Sequence, residues 1–361
     1  MKKLKICIII GARPQYIKAA MLMQAIEKHN QSNPTIPIEP YVVHTGQHYD
    51  YNMFGVFFDQ FKIRKPDIDL GISGCSHGKM VGKMMIAIES GLKMYRPDWV
   101  LVFGDTNSAL AGALTASKLQ IPLIHVEAGL RCYNKKVPEE INRIIIDHIS
   151  DLLFCYGSES LYELAYEGMT NNIFMVGDIS HDAFVQYKAQ LSEVRLIDRY
   201  YLATIHREEN TSLNKLKSIL QAIQNGAGET PVVIPLHPNT KRRLGNDVSN
   251  YPTFRFIDPV PYFEMLAFEQ SAELIITDSG GVQKEAFWFG VPCITLREET
   301  EEKDTIIAGG NVLVGSDPDK IINCIQRAKK FPIIEDFIQR IYGDGTVAER
   351  IIEEVVKCDL L

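Results

Sequence analysis

The sequence lacks the features that mark secreted, membrane-spanning or disulfide-stabilised proteins. Its seven cysteines are scattered and none form a CxxC pair, so a disulfide framework is not predicted. No apolar run approaches the roughly 20 residues that a membrane-spanning helix needs, and the first residues do not resemble a signal peptide. We therefore expect a cytoplasmic protein that is not inserted in a membrane.

Basic clusters and cofactor-binding fingerprints are also missing. The formal net charge is −7, and no group of lysines and arginines indicates a nucleic-acid partner. There is no GxGxxG fingerprint for a dinucleotide. His44 and His48 have the i, i+4 spacing of metal ligands, but Gly46 disfavours a helix there and no third ligand is evident. We expect neither a metal nor an organic cofactor.

Apolar stretches of strand length alternate with amphipathic stretches of helix length along all 361 residues. The strand-like stretches are uniformly apolar, which is typical of parallel sheets covered by helices on both faces. The pattern runs from Leu4 to Cys155, restarts at Tyr201 after a polar connection at Ser180–Arg199, and ends in a helix with a Thr346/Glu349 capping box. We therefore predict an α/β protein with Rossmann-like domains at 1–182 and 183–345 and a final helix at 346–361.

Ligands of open α/β sheets bind where strands end and helices begin, so the residues that follow each predicted strand are the candidates. The first strand is followed by Gly11, Arg13 and Lys18. The glycine permits a tight turn, and the two cations near a helix N-terminus are best tolerated if an anion binds between them. The alternative is an ordinary turn with solvated basic residues.

Carboxylates follow three further elements of the first half. Asp105 comes after the third strand, where capping of the next helix is the commoner role. Glu127 comes directly after the fourth strand and has no evident capping role. Glu139 and Glu140 open a helix, whose dipole stabilises anions. Three carboxylate sites on one rim predict acid/base chemistry, in which one group is ionised and another protonated.

The second half offers groups suited to a diphosphate. His206 and His237 each follow a strand and either bind phosphate or serve a structural role, which for His237 is the commoner case. The Ser279-Gly280-Gly281 segment begins a helix, where backbone N–H groups, a hydroxyl and the dipole attract anions. Glu285, about one turn further on, can accept hydrogen bonds from a ribose diol.

Taken together, these motifs resemble the non-hydrolysing UDP-N-acetylglucosamine 2-epimerases over essentially the whole chain. The matching segments, in order, are Gly11 to Pro14 with Lys18, His44 to His48, Gly104 to Thr106, His125 to Gly129, Pro138 to Glu140, His206 with Arg207, and Thr277 to Gln283. The resemblance implies a glycosyltransferase-B-like architecture, in which two Rossmann-like domains face a central cleft and the last helix crosses back to the first domain. It also implies a homodimer that uses no NAD or metal.

The resemblance implies a reaction as well. UDP is eliminated while the proton on sugar carbon 2 is removed, a glycal forms, and UDP adds back to the opposite configuration, for the synthesis of surface polysaccharide precursors. By resemblance, the acid/base candidates are Asp105, Glu127 and Glu139, and His206 assists at the leaving diphosphate. The implied UDP-sugar ligands are Arg13, Lys18, His237, Ser279, Gly280, Gly281, Glu285 and Arg297.

Several positions depart from the family pattern and leave the sugar open. Glu302 stands where an aromatic or basic residue is usual, and Lys284 where an acidic residue is frequent. Cys155 to Ser158 replace a common Pro-Thr pair. The segment Arg13 to Ala20 and the short spacer from Arg131 to Pro138 resemble a branch that epimerises UDP-2,3-diacetamido-2,3-dideoxyglucuronate. The alternatives of another class are a glycosyltransferase of the same architecture and a non-catalytic nucleotide-sugar sensor.

Overall fold

The computed structural model describes residues 3–32, 35–47, 61, 64–191, 198–236, 244–328 and 335–359. The chain divides into two compact units. Unit 1 comprises Met1–Tyr187 with Asp336–Leu361, and unit 2 comprises Lys188–Glu335. Among the described helices, none is both long and apolar enough to cross a membrane.

Unit 1 is built on a parallel sheet with the strand order β3-β2-β1-β4-β5-β6-β7. Its described strands are β1 (Leu4–Ile10), β2 (Ile38–His44), β3 (Ile68–Asp69), β4 (Trp99–Phe103), β5 (Leu123–Val126), β6 (Leu152–Cys155) and β7 (Ile173–Met175). The described helices are α1 (Arg13–Ser32), α2 (His77–Tyr95), α3 (Asn107–Lys118), α4 (Pro138–His148), α5 (Gly157–Tyr166) and α6 (Ile179–Tyr187). The central strands are buried on both faces, as their continuous apolar sequences predict.

Unit 2 repeats this plan with the parallel order β10-β9-β8-β11-β12-β13. Its described strands are β8 (Tyr201–Thr204), β9 (Val232–Pro235), β10 (Phe254–Ile257), β11 (Leu274–Thr277), β12 (Cys293–Thr295) and β13 (Asn311–Leu313). The described helices are α7 (Glu208–Thr211), α8 (Leu213–Ala227), α9 (Tyr262–Ser271), α10 (Gly280–Phe289), α11 (Lys303–Ile307) and α12 (Pro318–Arg327). Two parallel sheets confirm the predicted α/β fold class.

The last two helices, α13 (Glu335–Tyr342) and α14 (Val347–Asp359), follow unit 2 in sequence. Helix α14 packs against α1 and α6 of unit 1 through an apolar stripe that includes Ile351 and Val355, both fully buried. An amphipathic helix is stabilised mainly by burial of such a stripe, so the end of the chain contributes to the core of unit 1.

Two local predictions are wrong. Residues 180–187, predicted as part of a polar connection, belong to helix α6 (Ile179–Tyr187), whose buried face includes Ile179 and Phe184. The predicted capping box is not what caps α14: the Thr346 hydroxyl donates to Asp344, while Asp182 of α6 accepts the first two helix amides, from Val347 at 3.0 Å and Ala348 at 2.7 Å. A carboxylate supplied from a distant element replaces the local cap, which a sequence window does not reveal.

Candidate active site

Each sheet has one point at which its strand order reverses, and this point locates the candidate site of that unit. In unit 1 the reversal falls between β1 and β4, and in unit 2 between β8 and β11. Neighbouring loops at a reversal run to opposite faces and leave a crevice at the carboxyl ends of the strands. Gly11 and Gly104 leave these strands in unit 1, and His206 and Asp278 follow them closely in unit 2.

The turn after β1 is held tightly against its neighbours. A side-chain carbon on Gly11 would lie 2.0 Å from Thr45 Oγ1 and 2.2 Å from Ser108 Oγ, so only glycine fits there. Gln15 accepts hydrogen bonds from the Gly11 and Ala12 amides, at 2.9 and 3.0 Å. This turn fixes the start of α1, which carries half-buried Arg13 and buried Lys18.

The first candidate acid/base group, Glu127, forms an ion pair with Lys18. Both side chains are almost buried, with exposed fractions of 11% for Glu127 and 7% for Lys18. Glu127 has a φ of +77°, which is unfavourable for a residue with a side chain, and such strain often marks functional positions. Gly104 lies beside this pair, because a side-chain carbon there would be 2.9 Å from Glu127 Oε2.

The second candidate, Asp105, is paired with a different cation. Arg143 of α4 donates from Nη1 to Asp105 Oδ2 at 2.5 Å, and Asn142 donates to the Asp105 backbone carbonyl at 2.7 Å. The commoner capping role does not apply to Asp105, because Thr106 accepts from the Ala109 amide and caps α3. Asp105 is therefore held by residues of α4, and it does not cap α3, the helix that it precedes.

The adjacent glutamates at the start of α4 have different surroundings. Glu140 is buried and accepts hydrogen bonds from the Cys132 and Tyr133 amides and from Arg143. Burial alone would raise the pKa of Glu140, but these donors outweigh it and hold the pKa below its usual value. Glu139 is half-buried, and no described residue makes a hydrogen bond or ion pair with its carboxylate. Of the two glutamates, Glu140 is thus the one whose carboxylate is held by described residues.

A buried ionic network, not predicted from the sequence, lies behind these groups. His125 lies with Nδ1 2.7 Å from Asp147 Oδ1 and Nε2 2.9 Å from the Gly104 carbonyl oxygen. Asp147 also accepts from Arg131 at 2.7 Å. Burial alone would raise the pKa of Asp147, but His125 and Arg131 hold it below its usual value. The His125 ring therefore connects the buried Asp147 carboxylate to the Gly104 turn.

In unit 2 a buried aspartate organises the end of β8. Asp278 is fully buried and accepts from the backbone amides of His206 and Arg207, at 3.1 Å each, and from Asn210 at 3.1 Å. Its Oδ1 also lies 3.1 Å from Nδ1 of the His206 ring, which is 58% exposed. Burial opposes ionisation of Asp278, but these donors hold its pKa below the usual value. The imidazole is therefore oriented by a carboxylate while its other edge faces solvent.

The predicted diphosphate cradle forms the start of α10. Ser279 occupies the N-cap position and its side chain makes no capping hydrogen bond. Behind it, fully buried Gln283 donates to the Ser279 carbonyl and accepts from Thr300 and Asn311, at 2.8 and 3.1 Å. Glu285 lies half-buried one turn further along. The network fixes the helix start at which backbone N–H groups attract an anion.

The segment after β12 brings two carboxylates to this helix start. Glu301 pairs with Arg297 at 2.9 Å and lies 3.8 Å from Arg207. Glu302 and Lys284, the two departures from the family pattern, are both buried and lie 3.8 Å apart. The two unusual residues thus compensate each other's charge.

The sequence also offered His44, His48 and His237 as candidates. His237 and His48 lie outside the described residues. His44 is buried, with its ring between the Tyr16 hydroxyl at 2.8 Å and Asp69 at 3.0 Å. Among the described residues, no group of three or more His, Cys, Asp or Glu side chains is arranged to hold a metal ion.

Sequence reasoning missed Arg143 and Asp278 as parts of the site. The i, i+3 spacing of Glu140 and Arg143 on a predicted helix was an available signal, as was the position of Asp278 directly after a strand. Their partners Asp105 and His206 lie 38 and 72 residues away in the chain, so only the fold reveals the contacts.

Known proteins resemble this chain both in sequence and in fold. The sequence profile of the UDP-N-acetylglucosamine 2-epimerase family matches residues 30–356. The chain is 43% identical to the UDP-2,3-diacetamido-2,3-dideoxy-D-glucuronate 2-epimerase of Pseudomonas aeruginosa, over 98% of this chain and 100% of that protein. It is 41% identical to a UDP-N-acetylglucosamine 2-epimerase homolog of Methanococcus maripaludis, over 97% and 99%.

Among solved structures, the chain is similar to the UDP-GlcNAc 2-epimerase of Methanocaldococcus jannaschii in complex with UDP-GlcNAc and UDP. The TM-score is 0.88 at 38% identity, over 99% of this chain and 100% of that one.

Proposed function

Because the chain belongs to the UDP-N-acetylglucosamine 2-epimerase family, we propose that it inverts carbon 2 of UDP-N-acetylglucosamine without hydrolysing it. The enzyme is a UDP-sugar 2-epimerase, an isomerase. The observation that carries the proposal is the pair of strand-end carboxylates, Asp105 and Glu127, each beside its own buried cation. A glycosyltransferase needs a donor site but has no need for this arrangement.

In the proposed reaction, unit 1 handles the proton at carbon 2. One carboxylate among Asp105, Glu127 and Glu139 removes the proton, and the C2–H electron pair forms the C1=C2 double bond. The C1–O bond breaks and its electrons leave with UDP, which gives a glycal. A proton delivered to the other face of carbon 2 and readdition of UDP complete the inversion. Proton transfer by placed side chains contributes typically 10²–10⁴-fold to rate.

Unit 2 holds UDP in this proposal. The start of α10, with Ser279, Gly280 and Gly281, binds the diphosphate, and Glu285 binds the ribose diol. His206, oriented by Asp278, stabilises the charge that develops on the leaving diphosphate. Further UDP-sugar ligands are Arg13, Lys18, His237 and Arg297. The proposed catalytic domain is 1–182, the UDP-binding domain is 183–345, and the helix at 346–361 belongs with the first.

A second substrate is favoured by a specific observation, the 43% identity to an enzyme named for UDP-2,3-diacetamido-2,3-dideoxy-D-glucuronate. This sugar shares carbon 2 chemistry with UDP-N-acetylglucosamine, so the same carboxylates serve either reaction. We further propose that the protein is a cytoplasmic homodimer that supplies precursors of surface polysaccharides and uses no cofactor.

Incubation with UDP-N-acetylglucosamine in D₂O tests the function. We expect deuterium at carbon 2 and formation of the 2-epimer, and Asp105→Asn to lower turnover at least about 100-fold while UDP still binds. The diacetamido uronate, assayed in parallel, identifies the preferred sugar. Binding of both sugars without exchange at carbon 2 would contradict the epimerase and favour a transferase or a sensor.

A further inference from the structure

One arginine links the start of helix α4 to Asp105. All three guanidinium nitrogens of Arg143 are engaged: Nη1 donates to Asp105 at 2.5 Å, while Nε and Nη2 donate to Glu140 at 3.2 and 2.9 Å. The Arg143 side chain is only 3% exposed. A guanidinium that donates two hydrogen bonds to one carboxylate has a fixed plane, so its third nitrogen points in a fixed direction.

Glu140 is itself immobilised. It is 1% exposed and accepts from the Cys132 amide at 3.0 Å and the Tyr133 amide at 2.7 Å. Its low pKa, which these donors and Arg143 maintain against the effect of burial, keeps it anionic. Glu140 therefore anchors Arg143 and is not available to exchange protons with a sugar.

Asp105 is the partner that reaches the surface. Its side chain is 29% exposed, against 3% for Arg143 and 1% for Glu140. Asn142 holds the Asp105 backbone carbonyl from the same helix at 2.7 Å. Lys18 and Glu127 form the neighbouring ion pair beside Gly104. One face of α4 thus fixes both the backbone and the carboxylate of Asp105.

We propose that Arg143, anchored by Glu140, is a positioning residue that keeps Asp105 ionised and oriented, so that Asp105 is the base that takes the carbon 2 proton from the incoming sugar. This inference rests on the proposed function. In the step, the carboxylate oxygen forms the new O–H bond, the C2–H electrons form C1=C2, and the C1–O electrons leave with UDP. A permanent cation at this distance favours the charged carboxylate, which accepts a proton and cannot donate one.

A double-mutant cycle between Arg143 and Asp105 tests the proposal. We expect Arg143→Gln to lower kcat by about 100-fold while KM changes less than about threefold, since the lost interaction acts on the reacting group. In the Asp105→Asn background the same change should cost less than about threefold, because the group that it positions is gone. Arg143→Lys, which keeps the charge without the fork, should recover part of kcat.

The pH profile separates positioning from general damage to the fold. The acid limb of kcat/KM should move to higher pH in Arg143→Gln and stay in place in Arg199→Gln. Arg199 is a matched control because it forms a similar ion pair with Glu273 but is 76% exposed and follows no strand end. UDP affinity, carried by unit 2 in the proposal, should be unchanged in both.

Three results would overturn the inference, and they differ in what they mean for the proposed function. If wild-type protein exchanges deuterium at carbon 2 and Arg143→Gln does so with a normal rate and pH profile, the positioning role is wrong while the epimerase stands. The same holds if the losses from Arg143→Gln and Asp105→Asn simply multiply. If wild-type protein exchanges with neither sugar, the proposed function fails and the inference fails with it.

Discussion

Gly104 is a position at which one added carbon would reach the candidate carboxylate of Glu127. Its φ is +59°, and a side-chain carbon would lie 2.9 Å from Glu127 Oε2 and 3.9 Å from Lys18 Nζ. We expect Gly104→Ala to displace the Lys18–Glu127 pair and to reduce kcat at least about tenfold, and the strained backbone to cost roughly 1–2 kcal/mol of unfolding free energy. Steady-state kinetics and urea denaturation measure the two effects.

Gly82→Ala is the control for that substitution. Gly82 lies in helix α2 and has an ordinary φ, and no described residue lies within 4 Å of an added carbon at this position. Alanine is favoured over glycine in a helix by about 1 kcal/mol, so this variant should be at least as stable as wild type. Wild-type kinetics in Gly104→Ala would show that Glu127 tolerates displacement and is not an acid/base group.

At the level of single residues, the sequence predicted that the candidate side chains follow strands but not which residues they contact. Asp105, Glu127 and His206 all follow strands, and strand ends share one edge of a parallel sheet, so their placement follows from topology. The contacts with Arg143, Lys18 and Asp278 depend on how each helix is rotated about its axis and on the conformation of each turn. That rotation is set by packing of the whole core, which a local sequence window does not contain.

At the level of elements, the helices and strands that have long apolar patterns were predicted best. Strands β1 (Leu4–Ile10) and β4 (Trp99–Phe103) and helix α2 (His77–Tyr95) lie on long stretches of the alternating pattern that the sequence shows. Strand β3, with two residues, and strand β7, with three, were not predicted, because they contain too few residues to show periodicity. Short edge strands are defined by their neighbours more than by their own sequences.

Helix α14 owes its cap to Asp182, whose titration makes the joint between α6 and α14 sensitive to pH. Burial raises the pKa of Asp182 from its ordinary value of 3.8 to about 6, although the Val347 and Ala348 amides oppose this rise. The folded protein therefore binds this proton more tightly than the unfolded chain. The contribution of Asp182 to stability falls as pH rises from about 4 to above 6, by up to about 3 kcal/mol.

We expect Asp182→Asn to remove the pH-dependent contribution of this carboxyl group to the unfolding free energy. Between pH 4 and 7 the unfolding free energy of wild type should fall relative to that of the variant, as measured by urea denaturation at several pH values. Asp344→Asn provides a control of opposite sign, because hydrogen bonding by Thr346 holds the pKa of Asp344 below its usual value. The stabilising contribution of the Asp344 carboxylate should decrease as pH falls, so Asp344→Asn should lower the unfolding free energy less at low pH. If the unfolding free energies of wild type and Asp182→Asn change with pH in parallel, Asp182 is not the source of the pH dependence.

At the level of the whole molecule, the two units share one architecture but carry different candidate groups. Each is a parallel sheet with one reversal of strand order, and in each a buried carboxylate lies behind a turn at that reversal. Asp147 acts through His125, which contacts the Gly104 carbonyl, and Asp278 accepts directly from the His206 amide. Unit 1 adds anionic groups and their cations. Unit 2 adds a glycine-rich helix start and a histidine. The proposed reaction needs both sets, because the proton at carbon 2 and the departing diphosphate belong to the same substrate.

The end of the chain makes unit 1 depend on residues that follow unit 2 in sequence. Ile351 is fully buried in α14, which packs on α1, whereas Glu353 of the same helix is exposed. Ile351→Ala should cost about 2–5 kcal/mol through the cavity that it leaves, and Glu353→Ala should cost less than about 0.5 kcal/mol. Hydrogen exchange should rise in α1 and α6 of Ile351→Ala while strand β11 of unit 2 keeps its protection and UDP still binds. Equal loss of protection in β11 would mean that the units do not unfold separately, and the last helix would then stabilise the whole molecule and not unit 1 alone.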